Sequence, residues 1–439
     1  MRNIKRAFCG TAALMMAVFL PPSVYPQARP LPQGAYAKNV EFIGFSDMGR
    51  HIPFKISIHQ VNGRWYMYAA GDDDRGWAIL DITHPAEPSV VNWIPGSANT
   101  NTGQVDIAEG IMITAVARAR VGADSDPTKP WDEGVLIWSL ANPVHPKLLG
   151  QYKTGGLGAH RSGYYGGRYM YLAAAPRGYR GYIFQIVDIS DPAHPFEVSR
   201  WAPPELKLSD PDAMNTSWPI GHGLHGPPAV VGNLAYLGFH DKLVILDISD
   251  VRYPKQISEL SFDPPFQFRL FAVHTTLAFP SRKIVYTNSE GGCADGPSQV
   301  SLIDVSDSAK PKVLSYFPVP ELPPGAPWKN WCEKGLGAHN VNMLFHNPFV
   351  DHSDNIIYSA YGGAGLRVFD ISDARFPREI GYFVLPASGA SDVVVDTRGY
   401  IYLSDRRQGI WILRYTGPKP GPALPVQPYP NTIAAPTAR

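Results

Sequence analysis

Short runs in which apolar and polar residues alternate recur along the chain and predict β-strands. Two examples are RSGYYGGRYMYLAA (161–174) and DVVVDTRGYIYLSD (392–405), in each of which two such runs flank a turn that contains glycine. Few windows show the 3.6-residue period of an amphipathic helix. The 43 prolines and 41 glycines are spread over the whole chain, as turns between many short strands require. The pattern predicts an all-β protein.

One phrase, made of two strands and a proline-containing corner, occurs six times. Each copy is an apolar strand that ends in Asp, or in Ser139 in the second copy, followed by a turn with Pro and a second strand. The side-chain oxygen at the end of the first strand is expected to accept a hydrogen bond from the backbone N–H two residues on. The six copies are AILDITHPAEPSVVNWI (78–94), LIWSLANPVHPKLLGQY (136–152), QIVDISDPAHPFEVSRW (185–201), VILDISDVRYPKQISEL (244–260), SLIDVSDSAKPKVLSYF (301–317) and RVFDISDARFPREIGYF (367–383).

The spacing of the copies predicts how many strands each unit contains. The residues that end the first strands are 58, 49, 59, 57 and 66 positions apart, which leaves room for two more strands between copies. Four strands per repeated unit are typical of a β-propeller. Residues 400–415 supply strands of a seventh unit without its proline-led strand, and residues 39–47 match that missing strand. We therefore predict a seven-bladed β-propeller of four-stranded blades over residues 39–415, with the ring closed by the N-terminal strand.

The repeated phrase resembles the LVIVD repeat, and over residues 39–415 the chain resembles an LVIVD-repeat protein. This resemblance implies a β-propeller fold and no particular activity. A seven-bladed propeller with histidines on its axis is also similar, more distantly, to two groups of metalloenzymes. These are the carotenoid cleavage oxygenases, which hold Fe(II) with four histidines, and the selenium-binding protein family, which includes a copper-dependent thiol oxidase. This second similarity is an analogy of architecture.

The chain ends and the net charge bear on location and partners. Residues 1–28 have a basic start, an apolar stretch from Ala7 to Leu20 and a polar, proline-containing end, an order typical of a secretory signal peptide. The apolar stretch is short for a membrane-spanning helix, so we predict a periplasmic or secreted protein with no further membrane association. Residues 416–439 are predicted to form a proline-rich tail. The formal net charge is +1 and no basic run interleaves with aromatic residues, which argues against nucleic-acid binding.

Four histidines occupy equivalent positions in four successive units. Aligning the inner hairpins by their turns places His160, His225 and His274 at the same position, and His339 shares the phrase Leu-Gly-Ala-His with the first of them. The innermost strands of a propeller run side by side along its axis, so we predict that the four imidazoles converge on one metal ion. The alternative is a histidine that serves only the packing of the repeat, which is expected in all units, whereas three units lack it.

The predicted donors and the loops around them indicate a chemistry. An all-imidazole set suits a transition metal, with Fe(II) or Cu favoured and Zn possible. Long loops precede three of the histidines, and their aromatic residues are predicted to contact an apolar or aromatic small-molecule substrate. Glu290 and Glu109 are candidates to hold the ring N–H groups of the ligands from behind, the alternative being solvated loop acids. The candidate catalytic residues are Glu290 and His222, and the candidate substrate contacts are Trp218, Phe268, Trp328 and Trp331.

Two cysteines remain once Cys9 is removed with the signal segment. An even pair in an oxidising compartment predicts a disulfide between Cys293 and Cys332, with two unrelated thiols as the alternative. The remaining histidines, among them His346, follow no common frame and are expected at the surface or in turns.

Three functions fit these features. The first is an exported oxidase or oxygenase with a redox metal at the four-histidine axial site. The second is a periplasmic or cell-surface propeller that binds a partner without catalysis. The third is a zinc-dependent hydrolase or hydratase at the same site.

Overall fold

The computed structural model describes residues 26–71, 75–119, 126, 128–214, 223–263, 273–290, 299–335 and 337–426. The predicted signal segment lies outside these residues apart from 26–28, and the predicted tail is described as far as residue 426. The described chain is all-β, and none of its helices is long and apolar enough to cross a bilayer. Single turns of 3-10 helix lie at Met48–Arg50, Pro204–Leu206, Pro280–Arg282 and Trp331–Glu333.

In the described residues the strands form five four-stranded antiparallel sheets and one nine-stranded sheet that curls into a half-barrel. Two N-terminal strands, β1 (Tyr36–Lys38) and β2 (Val40–Ser46), precede the first sheet in sequence. That sheet contains β3 (Pro53–Val61), β4 (Arg64–Gly71), β5 (Gly76–Asp81) and β6 (Ser89–Pro95). The nine-stranded sheet contains β7 (Thr100–Asn101), β8 (Asp106–Ala108), β9 (Ile111–Arg118), β10 (Gly134–Ser139), β11 (Lys147–Tyr152), β12 (Gly158–Tyr164), β13 (Tyr169–Ala175), β14 (Ile183–Asp188) and β15 (Phe196–Trp201).

The remaining four sheets follow in chain order. The next two contain β16 (Ala229–Val231), β17 (Leu234–Phe239), β18 (Lys242–Asp247) and β19 (Lys255–Ser261), then β20 (Thr276–Phe279), β21 (Ile284–Asn288), β22 (Val300–Asp304) and β23 (Lys312–Tyr316). The last two contain β24 (Ile356–Ala360), β25 (Leu366–Asp370) and β26 (Arg378–Val384) with β1, then β27 (Ala390–Val395), β28 (Tyr400–Asp405) and β29 (Gly409–Tyr415) with β2.

The six repeated phrases form six pairs of adjacent antiparallel strands, from β5 and β6 to β25 and β26. The predicted corners are confirmed. Oδ1 of Asp188, for example, accepts a hydrogen bond from the N–H of Ser190 at 2.8 Å, and Oδ1 of Asp370 accepts one from Ser372 at 2.8 Å. In the second copy Oγ of Ser139 takes this place. All six pairs also contain a register shift near the middle of the first strand, which is a local bulge.

The N-terminal strands pair with strands from the other end of the chain. β1 pairs with β26, and β2 pairs with β29 from Val40 opposite Tyr415 to Ser46 opposite Ile410. The predicted pairing of residues 39–47 with the last repeated unit is therefore present.

Buried apolar side chains lie between successive sheets and form the core. Leu237 of β17 packs with Ile186 of β14, and Leu302 of β22 packs with Phe369 of β25. One further cluster joins the last sheet to the first, with Ile412 of β29 against Ile56 of β3. The first strands of neighbouring sheets also lie close together: β27 beside β3, β3 beside β8, β8 beside β12 and β16 beside β20. This arrangement brings the starts of the inner strands to one place.

Candidate metal centre

The four histidines predicted as metal ligands lie next to one another. The ring centroids of His160 and His225 are 4.6 Å apart, those of His225 and His274 are 5.1 Å apart, and those of His274 and His339 are 4.5 Å apart. All four residues are buried, although sequence separates the first from the last by more than a third of the chain. The structure thus assembles the side chains that the repeat alignment singled out.

The backbone holds these histidines at the inner edges of the sheets. His160 lies within β12, whereas the N–H of His274 donates to the carbonyl of Asn288 on β21 at 2.7 Å. The N–H of His339 donates to the carbonyl of Ala360 on β24 at 2.9 Å. Gly226 makes the approach of two segments possible, because a Cβ at this position would lie 1.6 Å from the carbonyl oxygen of His274.

The carboxylate of Glu290 lies among three of the imidazoles. Its Oε2 is 3.1 Å from Nε2 of His225 and 3.5 Å from Nε2 of His274, and its Oε1 is 3.6 Å from Nε2 of His339. One ligand atom each from His225, His274 and Glu290 can be chosen within 4.8 Å of one another. The sequence analysis predicted that Glu290 accepts the ring N–H groups that point away from the metal. In the structure its carboxylate instead lies beside the Nε2 atoms. A metal ion at this position would therefore meet carboxylate as well as imidazole donors, whereas the sequence predicted imidazoles alone.

Hydrogen bonds fix the tautomer of His274. Its Nδ1 is 2.8 Å from Oγ1 of Thr275, and the hydroxyl hydrogen of Thr275 goes to the carbonyl of His339 at 3.0 Å. The hydroxyl therefore accepts from Nδ1–H. On the other side of the ring, Nη2 of Arg161 lies 3.0 Å from Nε2, and a guanidinium can only donate. Both contacts place the hydrogen on Nδ1 and the lone pair on Nε2.

His339 has the same tautomer. Its Nδ1 lies 2.5 Å from the carbonyl oxygen of Ser391, which can only accept, so Nδ1 carries the hydrogen. Its Nε2 is buried and, among the described residues, makes no hydrogen bond. Metal-bound imidazoles usually donate their other ring N–H to a carbonyl, hydroxyl or carboxylate in this way.

Electrostatics leave His274 and His339 neutral and Glu290 ionised. Burial lowers the pKa of His339 to about 4, and burial together with His339 lowers the pKa of His274 well below its usual value. Burial alone would raise the pKa of Glu290, but His339 and the hydrogen bond from His225 hold it well below the usual value. Two Nε2 lone pairs and an ionised carboxylate thus face one another at 3.5–3.6 Å, an arrangement that a bound cation stabilises.

Three side chains that the sequence did not single out border the cluster. Phe54 meets the His339 ring edge-on at a centroid distance of 5.3 Å. The guanidinium carbons of Arg161 and Arg406 lie 5.1 and 5.0 Å from the centroid of this phenyl ring. Among the described residues, two guanidinium groups therefore lie near the carboxylate of Glu290 and the histidines. The sequence feature that could have indicated such neighbours is a polar residue directly after the histidine of an inner strand, as in His-Arg-Ser and His-Thr-Thr.

The predicted substrate contacts that the structure describes lie elsewhere. Trp331 is 4% exposed, packs in a core cluster, donates its indole N–H to the carbonyl of Pro320 at 2.7 Å and lies 4.5 Å from the guanidinium carbon of Arg367. Trp328 packs against the same cluster and meets Tyr36 edge-on. Both indoles cover the core between sheets, because an aromatic residue in a long loop can bury its ring there as readily as over a site.

Three further predictions meet the structure. Glu109 is exposed in the turn between β8 and β9, where it accepts a hydrogen bond from the N–H of Gly167, as expected of the alternative, a solvated loop acid. His346 lies in a turn, as expected, and both its ring nitrogens are buried. Cys332 is disulfide-bonded. The predicted partner Cys293 and three predicted site residues, His222, Trp218 and Phe268, lie outside the described residues.

Comparison with known proteins identifies the repeat. Residues 167–202 and 229–259, which cover β13–β15 and β16–β19, match the family model described as the LVIVD repeat. The chain carries LVIVD repeats. No curated protein sequence matches this LVIVD-repeat chain.

Two solved structures are similar to the LVIVD-repeat chain in fold. A protein from Lactobacillus plantarum has a TM-score of 0.50 and 13% identity, over 85% of this chain and 96% of that one. A functionally unknown protein from Desulfotomaculum acetoxidans DSM 771 has a TM-score of 0.45 and 13% identity, over 75% of this chain and 84% of that one. At this identity the Lactobacillus structure supports the propeller-like fold alone.

Proposed function

We propose that the protein is an exported seven-bladed β-propeller that binds one transition-metal ion and acts as an oxidase or oxygenase on a small molecule. The ligands would come from His274, His339 and Glu290, with His160 and His225 beside them. The observation that carries the proposal is the convergence of buried Nε2 atoms and one carboxylate, with two ring N–H groups directed to acceptors behind them.

Strand pairing and packing support the closed ring. The apolar clusters connect each sheet to the next and the last sheet back to the first. β2 supplies the fourth, outer strand of the last sheet, so the N-terminal segment completes that sheet and joins the two ends of the ring. The nine-stranded sheet counts as two blades, because its halves β7–β11 and β12–β15 are joined through one residue pair, Gly158 and Ala117.

The donor set supports a redox metal. Two imidazoles and one carboxylate that leave positions open are the ligand composition of non-haem Fe(II) oxygenases, which favours Fe(II) over Cu. When bound, such an ion supplies open coordination positions for O₂ or a substrate oxygen. Thr275 and the Ser391 carbonyl orient two of the rings, and Arg161 must leave Nε2 of His274 when that nitrogen binds a metal.

Zinc is the second candidate, and the same observation favours it. Two histidines and one glutamate also hold the zinc of hydrolytic enzymes, where the ion lowers the pKa of a bound water. The two proposals differ in which metal the protein retains.

Metal analysis of the exported protein, purified without a histidine tag, tests both proposals. We expect about one equivalent of Fe in protein purified anaerobically, and one equivalent of Zn supports the hydrolase instead. Replacing His274 and His339 together by Asn should remove the metal, while His59→Asn on β3, a half-buried histidine outside the cluster, should retain it. A folded protein without metal would contradict the metalloenzyme and leave a binding propeller.

A further inference from the structure

A second cavity of about 250 Å³ lies farther along the inner strands than the metal centre. Its wall includes Ser162, two residues after His160, and Thr276, two residues after His274. Because a strand advances about 3.3 Å per residue, these lining residues lie one or two residue pairs beyond the histidines. The cavity is a site of its own, with no residue in common with the metal centre.

One wall of the cavity contains a buried ammonium with few partners. The side chain of Lys55 is 2% exposed, and its Nζ is 3.9 Å from Oδ1 of Asp106, beyond hydrogen-bond distance. Oδ2 of Asp106 accepts from the hydroxyl of Ser162 at 2.6 Å. Among the described residues, the hydrogen-bond acceptor that Nζ reaches is the sulfur of Met343 at 3.6 Å, which is a weak one. Within the described part of the chain, no oxygen lies within hydrogen-bond distance of this buried ammonium, which has three N–H donors. A ligand that brings an oxygen acceptor would therefore be stabilised there.

A second polar group and an apolar surface complete the wall. The ring nitrogens of His346 are buried and make no hydrogen bond of normal geometry among the described residues. Burial lowers the pKa of this imidazole to about 4, against the opposing effect of a backbone contact with Ile107, so the ring is neutral near pH 7 and its one N–H can be donated either to that carbonyl or to a ligand. The rest of the lining is mostly apolar, with Leu277, Ala278 and Phe345 among its residues.

The charges around Lys55 balance. Burial raises the pKa of Asp106 and raises that of Asp392 to about 6, while the charge of Lys55 acts on both in the opposite direction, as does Arg161 on Asp106. Two cations and two carboxylates make up this layer, so its net charge does not repel an anion. A 150 Å³ apolar cavity holds benzene, and about 250 Å³ leaves room for a ring with a short polar substituent.

We propose that this cavity binds a small monocarboxylate with an aromatic or branched apolar body, whose carboxylate accepts hydrogen bonds from Lys55 and His346. The site is independent of the metal centre.

Isothermal titration of the full protein with benzoate and phenylacetate tests the proposal, with benzyl alcohol and benzylamine as uncharged and cationic analogues. We expect saturable one-to-one binding of the acids and at least tenfold weaker binding of both analogues. Equal affinity for benzyl alcohol, or no binding of either acid at millimolar concentration, would overturn the carboxylate site.

Three variants locate the bound acid. Lys55→Met should weaken acid binding at least tenfold, and Ala278→Leu should block it by filling the cavity while all charges stay in place. The second variant keeps the test decisive if the first does not fold. His339→Asn alters the metal centre and should leave acid binding unchanged. If His339→Asn abolishes binding and Ala278→Leu does not, the acid binds at the metal centre and the cavity proposal is wrong.

Discussion

Replacing Thr275 by Val tests the role of the hydroxyl behind His274. The substitution keeps the shape of the side chain and removes the acceptor of Nδ1–H at 2.8 Å. The carbonyl of His339 loses one donor but keeps another, since Nδ2 of Asn288 donates to it at 2.6 Å. The main consequence therefore falls on the imidazole of His274, which is fully buried.

Two effects of this change can be given a magnitude. An unsatisfied buried N–H costs about 1–3 kcal/mol, so the free energy of unfolding should fall by that amount. The ring can instead move its hydrogen to Nε2 and donate to Oε2 of Glu290, which lies 3.5 Å away. That hydrogen would occupy the ligand position, and loss of such a supporting contact typically lowers metal affinity about 10–100-fold.

Chelator-competition titration measures the affinity, and ¹⁵N NMR of the imidazoles reports the tautomer directly. Thr276→Val is the matched control: its hydroxyl is equally buried and donates to the carbonyl of Tyr236 at 3.0 Å, away from the histidines. We expect a comparable loss of stability in both variants and a loss of metal affinity in Thr275→Val alone. Equal affinities in the two variants, with Nδ1 of His274 still protonated in both, would show that the hydroxyl does not set the tautomer.

Three further predictions concern glycine packing, a buried ion pair and the arginine of the site. Gly226→Ala should lower the free energy of unfolding in urea by at least about 1–3 kcal/mol, because the added Cβ meets the carbonyl oxygen of His274. Gly421→Ala, which has open space around it, should leave that free energy unchanged. Arg367→Met should lower the free energy of unfolding by about 3–5 kcal/mol, because it leaves the buried carboxylate of Glu379 without its partner at 2.9 Å. Adding Glu379→Gln should recover much of that loss. A double variant as unstable as the single one would contradict this reasoning. Arg161→Gln should raise the affinity for a divalent metal about tenfold in the chelator titration, because it removes a charged donor from Nε2 of His274. A lowered affinity would show instead that the arginine helps to hold the metal ligands in place.

The fold followed from local signals in the sequence. Alternation of apolar residues, turn glycines and the Asp-led corners act within a few residues of one another, so they can be read from a single chain. The place of the four histidines followed from a second property, the equivalence of positions in repeated units. The insertion before β24 moves His339 far from the start of that strand, yet residues 339–342 still run beside it through the bridge of Val341 and Ser359.

The parts of the site that the sequence did not predict depend on contacts between distant segments. The hydrogen-bond partner of Nδ1 in His339 is a backbone carbonyl 52 residues away. Every residue has such a carbonyl, so the residue type gives no indication of this contact. Arg161 and Phe54 meet the histidines only because inner strands of different sheets lie together. Trp331 was assigned to a substrate surface because long loops are often functional, but its indole stabilises the core instead.

The pairing of β2 with β29 has a consequence for the order of events in synthesis. Residue 40 cannot find its partner until residue 415 has left the ribosome, by which time the strands between them have been made. Such distant contacts slow folding, because the chain must close its longest loop before the contact forms. The last two sheets, to which β1 and β2 belong, therefore stay incomplete during most of translation. β1 and β2 therefore wait, without their partners, until the strands between them and β29 have been made.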